Sequence, residues 1–321
     1  MTADEPPAIA PPGPDATPAA PPVPDGGGGA SRLGRVVPQA AVALLVGFAL
    51  LEAGVALTAP LRTPRPADWE RAAAFVRAEK RPGDLVLFAP AWSDPIGRLH
   101  LGDVILSAEE ARMDAARFGR FFEVSVRGGR APETRRPGVR RVRQERFGRV
   151  TVTLYEQPRA HVVYDFLEAW RQARVSRWRG ERQEAECVLG GDRIQCPGIG
   201  HNHVALRVLE PDYTARRCLY VQPVDRAQVR VTFVATLGRS LAVRTGLHDY
   251  HQRKIADGRV LLRVLVDGRE VGQTWQGSGD GWKPLDLDTA ALAGQVHDVT
   301  FEVSSPRPYA RHFCFAAEAR Q

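Results

Sequence analysis

The residues able to do chemistry in this 321-residue chain fall into a few groups, and the cysteines form the most constrained one. Cys187, Cys196, Cys218 and Cys314 all lie in the second half. Four thiols allow three pairings. If Gly191-Asp192 forms a two-residue hairpin loop, Cys187 falls opposite Cys196 on a non-hydrogen-bonded pair, where Cα atoms approach to about 4.5 Å, within disulfide range. Cys218 and Cys314 then pair across the sandwich argued for below. The alternatives are four buried free thiols, or zinc, for which no C-x-x-C spacing exists.

His201-Asn202-His203 puts two imidazoles on one face of a strand, an alternation a metal site can use, but no third ligand is assigned. His248-Asp249-Tyr250-His251 is a loop cluster able to hold calcium or touch a sugar. Trp275 and Trp282 flank the Gly277–Gly281 loop, where an indole can stack on a sugar ring. Asp94, His100 and Asp103 follow an apolar strand, a place where ligands often bind in α/β sheets. They could supply acid and base groups, yet no nucleophile or oxyanion device accompanies them. No glycine-rich loop has phosphate-cradling spacing. No catalytic set is therefore complete, and the chain reads as more binder than enzyme.

Charge narrows the partners. Net charge is +7, but residues 1–30 hold four acids and no Lys or Arg, so the rest carries +11. Nine arginines crowd Arg127–Arg149, opposed only by Glu133 and Glu145, a density suited to lipid phosphates or acidic glycans through bidentate guanidinium bonds. Nucleic acid is not favoured, because zinc-finger spacing, a basic helix leading into heptads and the aromatic–glycine motif of RNA-binding sheets are all missing.

The elements that must position these groups begin with Val36–Leu57, a 22-residue apolar segment long enough to cross a bilayer core of about 30 Å. Residues 1–35 are a Pro/Ala/Gly-rich tail without apolar periodicity, read as disordered. The apolar segment reads as a transmembrane signal anchor, with a cleaved signal peptide or a buried helix as the other readings. Glu52 inside it suggests a partner membrane protein. Flanking arginines favour a cytoplasmic C-terminal part, but that rule weakens for long domains. Two disulfides require an oxidising compartment, which places the C-terminal part outside the cytoplasm.

After a proline-rich linker, 58–66, a small α/β domain is expected over 67–157. It starts with a helix capped by Asp68, with Trp69, Ala72, Ala73 and Val76 on one stripe, then a strand at Leu85–Phe88. A helix near Ala108–Phe118, a strand at Arg120–Val126 and a hairpin, Val139–Glu145 with Arg149–Tyr155, complete it. Residues 158–176 read as a linker helix, with Val163, Phe166, Leu167 and Trp170 at core-facing spacing. From 177 to 321, short alternating strands separated by turns argue for an all-β jelly-roll sandwich, with a hairpin at Asp267-Gly268.

Two stretches resemble known families. Asp68-Trp69, Ala72–Ala74, Pro82-Gly83-Asp84 and the strand ending Ala89-Pro90 make residues 66–157 similar to the soluble region of bacterial glycosyltransferases of the dolichyl-phosphate-mannose mannosyltransferase type. Those enzymes keep their catalytic acids in a multi-span part that this chain lacks, so no catalytic residue carries over. Gly246-Leu247-His248-Asp249, RVLLRVLVDGREVGQT and Leu285–Leu292 make 204–319 resemble carbohydrate-binding jelly rolls appended to bacterial glycosidases, with a galactose-binding-like fold.

The expectation is a single-pass protein of the bacterial inner membrane with extracytoplasmic domains, in contact with lipid. It binds or presents envelope polysaccharide, or assists envelope glycosylation. A glycosyltransferase-related enzyme or remnant acting on lipid-linked sugars, and a structural partner of another membrane protein, are the alternatives.

Overall fold

The computed structural model describes residues 33–105, 111–253 and 258–321. The tail expected to be disordered lies outside them up to residue 32. The chain divides into two compact units, Met1–Leu61 and Arg62–Gln321.

The first contains helix α1, Leu33–Arg62, except for its last residue. Its stretch Ala40–Ala59, 20 residues, is long and apolar enough to cross a membrane, since about 1.5 Å per residue gives about 30 Å. Leu44, Leu45, Leu50 and Leu51 are all exposed. The helix overruns the expected span at both ends: Pro60, assigned to the linker from sequence, is helical.

The second unit opens with α2, Pro66–Glu79, β1, Leu85–Ala89, and α3, Asp94–Leu101. Then come β2, Arg120–Val126, β3, Arg140–Phe147, and β4, Val150–Glu156. The sheet order is β1-β2-β4-β3, with β1 parallel to β2 and the rest antiparallel. The expected stripe is the one α2 buries: Trp69, Ala72, Ala73 and Val76 pack on Val86, Phe122, Val124, Val152 and Leu154. Asp68 is not the N-cap. Arg65 holds that position, and Asp68 turns back to accept from the Arg65 amide at 3.1 Å, the reciprocal half of a capping box. That amide is the main reason its carboxyl sits below the usual range.

The remaining strands build the sandwich: β5, Val162–Asp165; β6, Arg174–Arg179; β7, Arg182–Gly190; β8, Arg193–Gln195; β9, His203–Leu209; β10, Arg216–Val221. They continue with β11, Gln228–Thr236; β12, Ser240–Leu247; β13, Val260–Val266; β14, Arg269–Gln276; β15, Lys283–Asp288; β16, Val296–Ser304; β17, Phe313–Arg320. One antiparallel face runs β14-β13-β16-β11-β6-β7, the other β8-β9-β10-β17-β12-β15, with β5 also on β17. Strand β7 pairs with β6 early and β8 late, so it passes from one sheet to the other. This is the jelly-roll sandwich that the alternating pattern predicted. Phe166, Phe233, Phe301 and Phe315 sit at its centre, with edge-on contacts at 5.1 Å around Phe166.

Three expectations are corrected. The linker helix over 158–176 does not form. Its residues give β5, a 3-10 turn at Trp170–Gln172 and the start of β6. The end of β17 needs a strand partner, and Asp165 accepts from the Leu167 amide at 2.8 Å, turning the chain so that Phe166 enters the core. The spacing read as helical was that of a strand followed by a tight turn.

The helix near Ala108–Phe118 is absent over its described part, 111–118; Ala108–Glu110 lie outside the described residues. That stretch is instead fastened to the sandwich. Met113 enters the sandwich core, and the Ala111 carbonyl accepts from the Arg217 amide at 2.7 Å. Asp114 lies between the guanidiniums of Arg244 and Arg320 at 3.0 and 2.9 Å. Burial alone would raise the Asp114 carboxyl, but those guanidiniums outweigh it and hold it below the usual range.

Both cysteine pairings form. Cys187–Cys196 closes the hairpin with Cα atoms 4.1 Å apart, and Gly190 faces Arg193 across the loop. Cys218–Cys314 does not cross the sandwich. The two residues lie on adjacent strands, where Cys314 faces Tyr220, so the bond is a diagonal staple within one sheet, Cα atoms 5.7 Å apart.

Candidate functional site

Alternation along the strands decides which side chains leave the core of the six-stranded face. On β13, Val260, Leu262, Val264 and Val266 are buried, so Leu261, Arg263 and Leu265 face outward. On β11, Val229, Val231, Phe233 and Ala235 are buried, so Gln228, Arg230 and Thr232 face outward. The ladder registers convert this into rows across the sheet. Trp275 on β14 faces Leu261, Leu261 faces Ser304 on β16, and Gln228 on β11 faces Trp178 on β6. One residue beyond the Val229–Val303 pair, the antiparallel register sets Gln228 opposite Ser304. One row thus has a tryptophan at each end, four strand spacings apart, or about 19 Å.

The next row holds Arg263, Glu302, Arg230 and Ser176, followed by Leu265, Thr300, Thr232 and Arg174. Among the described residues, Arg174, Ser176, Trp178, Arg230, Thr232 and Asp298 help to line an open groove of about 500 Å³. Trp178 is fixed in it: its indole N–H donates to Ser176 Oγ at 2.8 Å, and the Arg230 guanidinium lies 4.2 Å from its ring centre. Thr232 and Thr300 hydroxyls meet at 2.9 Å. Glu302, 1% exposed, anchors Arg230 at 2.7 Å and also Arg263. Arg174 pairs with Asp298 at 2.7 Å. The charged residues lining the groove balance in number, Arg174 and Arg230 against Asp267 and Asp298. Gln228 Oε1 is buried without a hydrogen-bond partner among the described residues.

Trp275 is 38% exposed, with the Arg259 guanidinium 5.6 Å from its ring centre. A second depression, about 380 Å³, is lined by Gly258, Arg259, Trp275, Pro306 and Arg307. Trp282 does not share it. Its N–H donates to the Met113 carbonyl at 2.7 Å, and its ring lies beside Gly246, so it clamps the 111–118 segment to the sandwich. His248 precedes a short helix, α4, Asp249–Gln252, and its amide donates to the His312 carbonyl at 2.9 Å; the Asp249 carboxylate is held by Arg253.

His201 lies in a turn ahead of β9, while His203 opens the strand. The His203 ring lies 5.1 Å from Tyr220, and burial, then Arg193 nearby, lowers its pKa. Tyr220, pushed up to about 12 by burial, shares a 3.0 Å hydrogen bond with His312 Nδ1. Among the described residues no group of three or more His, Cys, Asp or Glu side chains is arranged to hold a metal ion.

Asp94, His100 and Asp103 do not converge. Asp94 pairs with Arg98 at 2.6 Å, Arg77 grips both Asp103 oxygens at 2.8 Å, and the His100 ring lies flat against Trp69. The Arg77 hydrogen bond holds the Asp103 carboxyl below its ordinary value.

Sequence reasoning missed Trp178, Ser176 and Arg230. The signal was present: in Arg174–Arg179, Arg174, Ser176 and Trp178 recur at period two, the mark of one strand face. It was obscured because the expected linker helix ran through residue 176.

No protein-family model matches this chain and no curated protein matches it, so the mannosyltransferase-type resemblance of 66–157 gains no support there. Solved structures similar to it include the CBM51-2 and INT domains of Clostridium perfringens ZmpB in complex with GlcNAc. Identity is 13% and the TM-score 0.30, over 46% of this chain and 31% of that one. The chain thus covers about a third of that relative. The CBM51 of Clostridium perfringens GH95 in complex with methyl-galactose gives 11% identity and a TM-score of 0.29, over 45% and 99%. TmCBM61 in complex with beta-1,4-galactotriose gives 10% and 0.27, over 50% and 96%. Likenesses this distant assign the chain neither a family nor a ligand.

Proposed function

We propose that this chain is a single-pass, membrane-anchored, non-catalytic glycan-binding protein of the bacterial envelope. Its ligand is a neutral oligosaccharide laid across the outer face of the six-stranded sheet. The observation that carries the reading is the row ending in Trp178 and Trp275, about 19 Å apart, with Ser304, Ser176 and Thr232 between or beside them. Indole rings offer apolar faces to sugar C–H groups, and planar amides, guanidiniums and hydroxyls offer directional hydrogen bonds, the mix ligand sites use to fix orientation. The span is long enough for several sugar rings end to end. The two disulfides support an extracytoplasmic site, and Ala40–Ala59 supports the anchor.

Titration calorimetry of the full chain in detergent against neutral envelope-type oligosaccharides tests this. Trp178→Ala and Trp275→Ala should each weaken binding by at least about tenfold, as central aromatic contacts do, and chain-length dependence should plateau only when both ends are occupied. Absence of binding to every neutral oligosaccharide tried, or binding that ignores both substitutions, overturns it.

A further inference from the structure

One end of the four-stranded sheet collects features that glycan binding does not use. Strand β2 ends at Val126 opposite Val150, the start of β4, and Phe147, the last residue of β3, also faces Val150. Ala89, the end of β1, faces Ser125. The chain leaving β1 and β2 and the turn joining β3 to β4 therefore lie at one end of the sheet, an edge with Trp92 and Arg127 beyond β1 and β2 and with Arg146 and Arg149 at the β3–β4 turn.

The edge is locked to the amino end of α2. Asp68 accepts from the Arg149 amide at 3.3 Å. Gly148 has φ +60°, and a Cβ there would lie 2.2 Å from Asp68 Oδ1, so only glycine lets the β3–β4 turn seat on the helix. Helix α3 borders the same edge, buries Gly97 and Leu101, and turns Ile96 and Leu99 outward. Trp92, Ile96 and Leu99 are 53%, 43% and 81% exposed. The Arg127 guanidinium lies 5.5 Å from the Trp92 ring centre. No carboxylate among the described residues pairs with Arg127, Arg146 or Arg149, in contrast to Arg140 and Arg143 farther along the hairpin, which pair with Glu156 and Glu79.

We infer that this edge is a membrane-resting surface, with Trp92, Ile96 and Leu99 entering the interface and Arg127, Arg146 and Arg149 binding anionic lipid phosphates. Its occupant is the leaflet that holds the apolar segment, so the inference rests on the anchor reading. Pro66, which begins α2, follows Ala59 by seven residues, no more than roughly 25 Å of extended chain. Once the segment is inserted, the amino end of α2 cannot leave the bilayer surface by more than that. Tryptophan favours the headgroup level, and each arginine near an anionic surface adds about 1 kcal/mol.

The test uses the full chain in vesicles of brominated phosphatidylcholine, alone or mixed with brominated phosphatidylglycerol. Tryptophan quenching is read as the difference between wild type and Trp92→Phe, and the span itself contains no tryptophan. The expected result is Trp92 quenching with phosphatidylglycerol, weaker with phosphatidylcholine alone. In R127Q/R146Q/R149Q the ratio of docked to undocked protein should fall on the order of 100-fold. Alkaline extraction separates the two readings. Protein that resists extraction but shows no Trp92 quenching refutes the resting surface alone, whereas protein that extracts fails the anchor and this inference together. Quenching unchanged by the triple substitution, or loss of binding to a soluble acidic polysaccharide without any quenching, also overturns it.

Discussion

Asp114 offers the sharpest test of how the α/β region and the sandwich are joined. Its carboxylate is 11% exposed and lies between Arg244 and Arg320, themselves 8% and 10% exposed; Arg320 also meets Glu318 at 2.8 Å. Asp114→Ala leaves two buried guanidiniums short of their shared counter-ion, and removing one partner of a buried pair costs about 3–5 kcal/mol. For a unit of this size that is a melting-temperature loss of about 6–20 °C. Asp114→Asn keeps the shape and one acceptor, so it should fall between wild type and Asp114→Ala. Because the folded carboxyl is held below its unfolded value, its contribution is present above pH of about 4 and is lost as pH falls further. The wild type should therefore lose more stability on acidification than Asp114→Asn does. Thermal melts of the full chain in detergent, with amide exchange over 111–118, would read both effects. An Asp114→Ala melting point within about 2 °C of wild type and unchanged exchange at 111–118 would refute the assignment of this carboxylate as the joint.

Loss of Cys218–Cys314, which closes a separation of 96 residues, should cost about 4.7 kcal/mol, against about 2.7 kcal/mol for Cys187–Cys196 with its separation of 9; urea midpoints of the two double-alanine variants would rank them, and the reverse order would contradict the loop-closure account. His203 resists protonation in the folded chain because burial and Arg193 lower its pKa, so stability should decline as pH falls below about 6.5. His203→Gln should flatten that slope in melts between pH 7 and 5.

Much of the architecture was legible from local pattern. The apolar run, the α2 stripe, the Asp267-Gly268 hairpin and the pairing of Cys187 with Cys196 each depend on residues close in sequence, where periodicity and turn chemistry are set by the backbone itself. Asp267 and Gly268 take φ +48° and +78°, the left-handed values their types tolerate.

What local pattern could not give was which strand lies beside which. Residues 162–176 carry apolar spacing compatible with a helix, and only the open edge of β17, some 150 positions away, makes them a strand and a turn. The sequence leaves Cys218 and Cys314 as partners but cannot show that they sit on adjacent strands of one sheet, because neighbouring strands in a jelly roll are distant in sequence. The candidate site has the same origin. Trp178 and Trp275 lie on β6 and β14, and they share a row only because β11, β16 and β13 fill the space between them in the right register. The sequence by itself determined the elements and their buried faces, because side-chain periodicity is a property of each element alone. The row from Trp178 to Trp275, and the joint at Asp114, were decided by tertiary structure, because strand order and register depend on which apolar faces close together in the folded chain.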